Sequence, residues 1–367
     1  ISIEWVVIGY SLAFGSSSGF LKPFIGNFDW AFLKGINISD ISPYFISQEH
    51  ERIPHIVFIM FQGMFAVITP ALIIGAFAER IHFKGFLIFS LLWAILIYNP
   101  IAHWVWSVDG WLLSMGALDF AGGAVVHINA GIAALVTALM LGKRRDYKGH
   151  AIPPHNIPFV AIGAGLLWVG WFGFNAGSGL AADGLAGNAL MVTHISAATA
   201  ALVWALLDWF IGKKPTIVGI CTGAVGGLVA ITPAAGFVDV TGALVIGALV
   251  SLVCFFMVAY VKPKLGYDDS LDAFGVHGIG GILGAMAVGF LANPQIQSDY
   301  SGAFFGNPHQ IWIQFISVIA TIAYSGIGTY ILFKITEKTI GVRAKDIDEA
   351  NGLDEKYHHE TAYTSFD

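Results

Sequence analysis

Residues 119–127 read DFAGGAVVH, and residues 272–277 read DAFGVH. In each segment an acidic residue is followed by an aromatic residue and glycine, and then by Val-His several residues into an apolar run. The two segments lie five apolar runs apart, and an odd offset reverses the direction in which a helix crosses a membrane. The pair therefore predicts an inverted-topology repeat, whose symmetry axis lies in the membrane plane. Such an axis brings His127 and His277 towards one another at mid-bilayer.

The composition of the chain excludes an ordinary soluble domain. Of the 367 residues, 56% are hydrophobic and only 11% are charged, whereas a soluble domain carries about 25% charged residues. A lipid bilayer is therefore the expected solvent. The 44 glycines favour close packing of membrane helices. The formal net charge of -6 argues against nucleic acid as a partner.

The apolar runs predict an all-α, multi-pass membrane protein. A run must contain about 20 residues to span a bilayer. The chain has nine full runs and one partial run, separated by short segments rich in Gly, Pro, Asp and Lys. The one long connection, 16–53, is predicted to be a loop on one face. The runs are predicted at 3–15 (partial), 54–78, 85–105, 119–141, 158–176, 187–211, 216–232, 242–261, 274–292 and 310–333.

The basic residues predict the orientation of these runs. Every second connection is basic, and 15 of the 18 Lys and Arg residues lie on that side, which the positive-inside rule makes cytoplasmic. A membrane domain is therefore predicted at 1–333 in the cell membrane, with a cytoplasmic tail at 334–367. Residue 1 lies inside a run that has already begun, so at least one helix is expected before it. The basic side holds Arg80, Lys84, Lys143, Arg144, Arg145, Lys148, Lys213, Lys214, Lys262, Lys264, Lys334, Lys338, Arg343, Lys345 and Lys356.

A histidine in a lipid core is costly and is by default a functional candidate. The structural alternative is a histidine that only hydrogen-bonds between helices, and we prefer it for His194, which is isolated in the run 187–211. For His127 and His277 the functional interpretation is favoured because the repeat supplies both members. Two facing imidazoles can share one proton, with one nitrogen donating and the other accepting. Such a pair suits a small molecule with hydrogen-bond donors and one lone pair better than a hydrated ion.

The two acidic residues that open the repeats have a structural and a functional interpretation. Asp119 and Asp272 are each predicted to cap the free N–H groups at a helix start, where the helix dipole favours negative charge. For Asp119 the functional alternative is a negative potential that favours a cation near the outer mouth. Both interpretations can hold together.

Five segments carry a resemblance to a known family. Residues 9–15 read GYSLAFG, 61–66 FQGMFA, 116–123 GALDFAGG, 170–178 GWFGFNAGS and 274–278 FGVHG. In this order, across nearly the whole chain, they resemble the ammonium transporter family (Amt/Mep/Rh), and most closely its bacterial and archaeal Amt branch. The resemblance implies a homotrimer of eleven-helix protomers with an inverted 5+5 repeat and one pore each. The first helix and the start of the second would then precede residue 1.

The resemblance also implies roles for individual residues. An outer ammonium site would use Phe65, Trp106 and Ser178. Phe65 and Phe174 would form a hydrophobic gate, with His127 and His277 below it in the lumen. The supporting residues would be Asp119, Phe61, Trp171 along the lumen and Thr232 near the mouth. For Trp106 an interfacial belt position is the structural alternative, and Phe65 and Phe174 taken singly would be packing residues.

Selectivity against potassium is expected from the gate and the lumen rather than from the aromatic site. A cation over a Trp ring gains about 0.5–2 kcal/mol, and potassium would gain as much as ammonium. A dehydrated potassium ion finds no carbonyl cage in an apolar lumen, whereas ammonium can lose its proton and pass as ammonia. The sequence fits both a neutral passage and a proton that travels separately through the histidine pair.

Three other functions are alternatives to ammonium transport. An ammonium sensor would share the membrane core, but only a short tail follows the last run. A metal enzyme would need ligands at a spacing such as His at i and i+4, which is not seen, so no metal, cofactor or enzymatic activity is predicted. A transporter of another small solute stays open. A PII-type regulator is a possible partner in this family, with Lys143, Arg144 and Arg145 as a plausible contact.

Two positions depart from the family pattern. His359 stands in the tail where glycine is expected, which predicts a local difference in the backbone and puts tail-mediated coupling between subunits in question. Leu271 occupies a position that is often smaller or polar in relatives.

Overall fold

The computed structural model describes residues 1–44, 53–147 and 152–363. Lys148, residues 45–52 of the predicted loop and residues 364–367 of the tail lie outside the described residues. Within them, eight helices are long and apolar enough to cross a membrane, and two more are apolar but shorter. In chain order these ten are α1 Ser2–Phe14, α2 His55–Ala76, α3 Phe83–Met115, α4 Gly123–Leu141, α5 Ile157–Gly177, α6 Gly184–Gly212, α7 Ile217–Ile231, α8 Val240–Leu265, α9 Phe274–Leu291 and α10 His309–Thr339.

Each predicted run overlaps one of these helices, which confirms the all-α, multi-pass class. The run predicted at 216–232 forms α7, whose ends agree with the predicted bounds to within one residue, but its 15 residues are fewer than the about 20 that span a bilayer. Its regular hydrogen bonding stops before Pro233, which has no N–H to donate. The chain continues in turns to Phe237 before the Asp239 side chain caps α8. Two helices are longer than predicted: α3 extends to Met115, ten residues past the predicted end at 105, and α10 extends to Thr339, six residues past the predicted end at 333.

Ion pairs join the connections at one end of the bundle, which we call the basic end. Arg80 is fully buried there, and it donates to the carbonyl oxygens of Ala76 and Gly142 at 2.6 and 2.9 Å. It also donates to the carbonyl of Asp268 and lies 3.8 Å from the Asp268 carboxylate. Arg144 binds both carboxylate oxygens of Asp268 at 2.9 Å. One buried network therefore ties α2, α4 and the α8–α9 connection together.

The charges in this network set the ionisation of its acid. Burial alone would raise the pKa of Asp268, but the hydrogen bonds from Arg144 and the charges of Arg80 and Arg144 hold it below its usual range. The carboxylate therefore stays charged well into the acid range. A buried pair of this kind is costly to break from one side, because the remaining charge is left without a partner.

The tail after α10 is held to the same end. Arg343 donates to the carbonyl of Leu141 at 2.7 Å and to Glu349 at 2.7 Å. Two short helices follow, α11 Asp346–Asn351 and α12 Leu353–His358. His359 then adopts a left-handed conformation with φ of 55°, which glycine favours. The histidine therefore takes up a glycine-like backbone rather than avoiding it.

The helices α4 and α9 show the inverted repeat. Each begins with a π-helical segment that contains its histidine, Gly123–Ile128 in α4 and Phe274–Gly278 in α9. Gly131 lies four residues after His127, and a Cβ there would be 2.3 Å from the Cα of Gly278. Gly281 lies four residues after His277, and a Cβ there would be 2.9 Å from the Cβ of His127. Each helix thus crosses the other at its histidine, in a reciprocal contact that only glycine permits.

The acids that open the repeats correct one prediction. Asp119 caps α4, as predicted, although the helix begins at Gly123 rather than at residue 119. Asp272 does not cap α9, because its carboxylate binds the Lys262 ammonium at 2.6 Å. Asp269 accepts the Phe274 N–H instead, at 2.8 Å. Asp119 and Asp269 each precede their histidine by eight residues, so they are the true counterparts in the repeat.

Candidate functional site

A cavity of about 380 Å³ lies at the end of the bundle opposite the basic end. Four of the predicted residues line it: Phe61, Trp106, Asp119 and Ser178. We call this cavity the vestibule. Its wall is largely aromatic and apolar, with a few polar groups. An aromatic wall with a few polar groups suits a small organic or inorganic cation better than a large polar solute.

Two polar groups of the vestibule, those of Trp106 and Ser178, are fixed by internal hydrogen bonds. The Trp106 indole N–H donates to the backbone carbonyl of Asp119 at 3.0 Å. The Ser178 hydroxyl donates to the carbonyl of Phe174 at 2.9 Å. Because its proton is engaged there, the Ser178 oxygen keeps lone pairs with which to accept a hydrogen bond from a donor in the vestibule.

The carboxylate of Asp119 is buried and binds the backbone at the start of α4. Its two carboxylate oxygens accept from the N–H groups of Gly122, Gly123, Ala124 and Val125, at 2.8, 2.5, 2.8 and 3.3 Å. Four donors saturate the carboxylate. The carboxylate is therefore not free to ligate a group in the vestibule, and the contact of Asp119 with the vestibule wall is the hydrogen bond from Trp106 to its carbonyl.

A pair of phenylalanines separates the vestibule from the histidines. Phe65 is 2% exposed, and its ring lies 4.9 Å from Phe61 and 5.4 Å from Trp106. The Phe174 ring lies 4.3 Å from Phe65 and 6.1 Å from His127. Of the three residues predicted for the outer site, Trp106 and Ser178 line the vestibule, whereas Phe65 lies behind them against Phe174.

The two histidines face one another, as the repeat predicts. Their Nδ1 atoms are 3.3 Å apart, and the rings are 5.3 Å apart at their centroids with an interplanar angle of 19°. His127 is 1% exposed, and its Nε2 has no hydrogen-bond partner within the described residues. A contact between two Nδ1 atoms requires that one ring donate and the other accept. The geometry therefore fits one shared proton and leaves Nε2 of each ring for other contacts.

Trp171 forms one side of this region and is held by Thr232. Its ring stacks on His127 at 5.3 Å and 14°. Its indole N–H donates to the Thr232 hydroxyl at 2.8 Å, and Thr232 donates in turn to the carbonyl of Leu228 at 2.7 Å. Thr232 is thus buried against Trp171 at the end of α7. It supports the ring beside the histidines and does not line the vestibule.

His194 differs from the pair at the centre. It is exposed on the isolated chain, and its ring contacts Trp168 at 5.4 Å and Phe172 at 6.1 Å on the neighbouring helix α5. This placement agrees with a packing role. Among the described residues, no group of three or more His, Cys, Asp and Glu side chains is arranged to hold a metal ion.

Two parts of the site were not predicted from the sequence. Asp269 was passed over for Asp272, although the spacing of eight residues shared with Asp119 and His127 identifies it. Gly131 and Gly281 were not singled out, although both follow a histidine by four residues. Spacing within the repeat was therefore a better guide than the similarity of the two segments read from their first acid.

The chain is similar to known proteins over nearly its whole length. The family model described as Ammonium Transporter Family matches residues 1–363. The ammonium transporter of Bacillus subtilis (strain 168) is 48% identical over 99% of this chain and 87% of its own length. The crystal structure of Candida albicans Mep2 is 34% identical and has a TM-score of 0.87, covering 95% of this chain and 76% of that one. A structure described as a sensor Amt protein is 28% identical with a TM-score of 0.86, covering 97% of this chain and 86% of that one.

Proposed function

Because this chain belongs to the ammonium transporter family, we propose that it carries ammonium or ammonia across a membrane through a pore within its own helix bundle. The observation that carries this proposal is the His127–His277 contact of 3.3 Å behind a phenylalanine pair and an aromatic vestibule. Proton transfer is the only chemical step required, so the chain is proposed to be a transporter rather than an enzyme.

The vestibule is proposed to recruit the ammonium ion. The face of Trp106 attracts a cation, and the Ser178 oxygen accepts a hydrogen bond from it. The charge of Asp119 adds a favourable potential, although its oxygens are occupied by backbone N–H groups. Phe61 provides the apolar wall against which the ion loses part of its hydration shell, and Phe65 packs behind it.

Phe65 and Phe174 are proposed to act as the gate. Rings 4.3 Å apart leave no room for a hydrated ion. An ion stripped of water in an apolar passage is strongly disfavoured, and potassium has no way to become neutral. Ammonium can give up its proton near the gate and continue as ammonia, which donates to and accepts from the histidine edges. Discrimination thus comes from chemistry that potassium lacks.

The histidine pair permits two versions of the proton's fate. In one version the proton returns to the side from which it came, and net transport is neutral. In the other version the proton crosses separately through the shared Nδ1 contact, and each ammonium moves one charge. Simultaneous measurement of current and uptake in proteoliposomes distinguishes them, because zero charge per ammonium contradicts the second version.

The topology and assembly of the protein follow from the same proposal. The basic end is proposed to face the cytoplasm of the cell, because cytoplasmic loops carry the excess of Lys and Arg, and the tail would lie there too. Three copies are proposed to associate, each with its own pore. A PII-type regulator would meet Lys143 and Arg145 at this end, whereas Arg144 is occupied by Asp268 and Glu79.

An uptake assay with a matched control tests the main proposal. Purified protein in liposomes is expected to take up labelled methylammonium, with inhibition by ammonium and none by potassium. His127→Ala removes one side of the shared proton and is expected to lower uptake more than about tenfold, which corresponds to about 1.4 kcal/mol. His194→Ala changes a histidine that only packs on aromatic rings and is expected to leave uptake within about twofold. Normal uptake by His127→Ala would contradict the central role of the pair.

An ammonium sensor is the second candidate, favoured by the likeness to the sensor Amt structure. A sensor binds the ion in the same vestibule but need not pass it. Binding of ammonium to the purified protein without uptake in liposomes would favour the sensor, whereas saturable uptake favours the transporter.

A further inference from the structure

The two acids that cap the histidine helices are equivalent by symmetry but are satisfied differently. Asp119 accepts from four N–H groups, two or more for each oxygen. Asp269 uses Oδ2 to accept from Phe274. Its Oδ1 is buried and has no hydrogen-bond partner in the described part of the chain. The cap at the basic end therefore contains one vacant acceptor that its counterpart lacks.

The charged groups around Asp269 are bound to other partners. Asp268 is paired with Arg144 and Arg80. Lys262 binds the Asp272 carboxylate at 2.6 Å and donates to the backbone carbonyl of Asp269 at 2.7 Å, not to its side chain. Across residues 1–44, 53–147 and 152–363, no ion pair to the Asp269 carboxylate is present. A buried carboxylate without a cation is an unusual arrangement.

Burial of the carboxyl, followed by the negative charge of Asp272, raises the pKa of Asp269 to about 6. Lys262 and the N–H groups of Phe274 and Ala273 lower it in part. The group that faces it from the same connection, Tyr267, packs its ring 6.2 Å from Phe274. Asp269 therefore changes charge near neutral pH, whereas Asp268 beside it stays ionised.

We propose that Asp269 is a positioning residue for His277 and that protonation of its carboxylate from the basic end slows transport. A charged carboxylate is a strong acceptor for the N–H groups of the first turn of α9. A neutral carboxylic acid is a weaker acceptor, and its own O–H finds no partner at Oδ1. His277 lies three residues after Phe274, so loosening this turn moves its Nδ1 away from that of His127. The inference rests on the proposed transport function.

The fold itself does not depend on the charged form. Because the pKa of Asp269 in the folded chain lies above its ordinary value, this group stabilises the folded chain most at low pH, and the contribution declines as pH rises through about 6. Acidification to pH 5 therefore changes the position of the turn without unfolding the chain through this group. In a pH series, uptake is therefore expected to fall at a pH at which the chain is still folded.

The test is a pH series of methylammonium uptake in liposomes, with the same pH on both sides. A primary ammonium stays charged from pH 5 to 7.5, so the form of the substrate does not change. Uptake by the natural chain is expected to fall about tenfold from pH 7 to pH 5, with a midpoint near 6, as one group of that pKa titrates. Asp269→Asn keeps an acceptor for Phe274 and does not titrate, so its uptake is expected to show no such midpoint.

A second variant keeps the proposal falsifiable if Asp269→Asn fails to fold. Asp272→Asn removes the like charge beside Asp269 and is expected to move the midpoint to lower pH while uptake at pH 7 is kept. An unshifted midpoint in Asp272→Asn, or the natural midpoint retained in Asp269→Asn, overturns the proposal. A natural chain with uptake that does not change between pH 7 and 5 overturns it too. Absence of any uptake at pH 7.5 counts instead against the transport function.

Discussion

The two ends of the bundle are built from different chemistry around equivalent halves of one repeat. At the vestibule end, aromatic rings and backbone hydrogen bonds surround the cap Asp119, and a cation has room to approach. At the basic end, buried ion pairs of Arg80 and Arg144 with Asp268 surround the cap Asp269. The repeat therefore fixes where the histidines meet, while the side chains that differ between the halves form an open aromatic cavity at one end and buried ion pairs at the other.

Substitution of the saturated cap is expected to have the largest effect. Asp119→Ala leaves four N–H groups of a buried helix start without their acceptor, and each such loss costs about 1–3 kcal/mol. We expect little or no folded protein, measured by yield and by monodispersity in size-exclusion chromatography. Asp269→Ala serves as the matched comparison and should be milder, because one of its oxygens has no partner to lose. An equal loss of folded protein in Asp119→Ala and Asp269→Ala would contradict the proposed difference between the two caps.

The buried ion network should respond next most strongly. Arg80→Met keeps the length of the side chain but leaves the carbonyl oxygens of Ala76 and Gly142, and both the carbonyl and the carboxylate of Asp268, short of a partner. Breaking a buried pair from one side costs about 3–5 kcal/mol, so the unfolding temperature in detergent should fall by many degrees. Lys334→Met removes a cation from an exposed pair with Glu337 and should change it little, because exposed pairs contribute about 0–1 kcal/mol. A similar fall in unfolding temperature in both variants would contradict a stabilising role for the ion pairs at the basic end.

Substitution of Trp106 should give the smallest effect and should act on binding. Trp106→Phe keeps an aromatic face towards the vestibule but loses the hydrogen bond to the Asp119 carbonyl, a loss of about 1 kcal/mol. The concentration of methylammonium at half-maximal uptake is expected to rise about fivefold, with a smaller change in the maximal rate. A comparable aromatic substitution at the basic end, Tyr267→Phe, should leave this concentration unaltered. A fall in the maximal rate alone would place Trp106 outside the recruitment step.

Much of the site could be predicted because the two halves of the repeat have similar sequences around their histidines. The histidine pair followed from two Val-His segments and an odd helix offset, and the contact of 3.3 Å agrees with that prediction. Asp272 was mistaken for the second cap because sequence alone did not show that Lys262, ten residues earlier, binds its carboxylate. The place of Thr232 was missed for a similar reason, since its partner Trp171 lies 61 residues away in the chain.

The membrane environment, the number of apolar runs, the alternation of basic connections and the repeat could all be predicted from the sequence. They appear as patterns of apolar and basic residues along the chain. The sequence did not show which carboxylate caps which helix, or where Phe65 lies relative to the vestibule. Those features depend on contacts between residues far apart in the chain, where a single hydrogen bond or a missing side chain decides the outcome. The crossing of α4 and α9 at Gly131 and Gly281 is the clearest case, because close approach needs glycine on both helices at once.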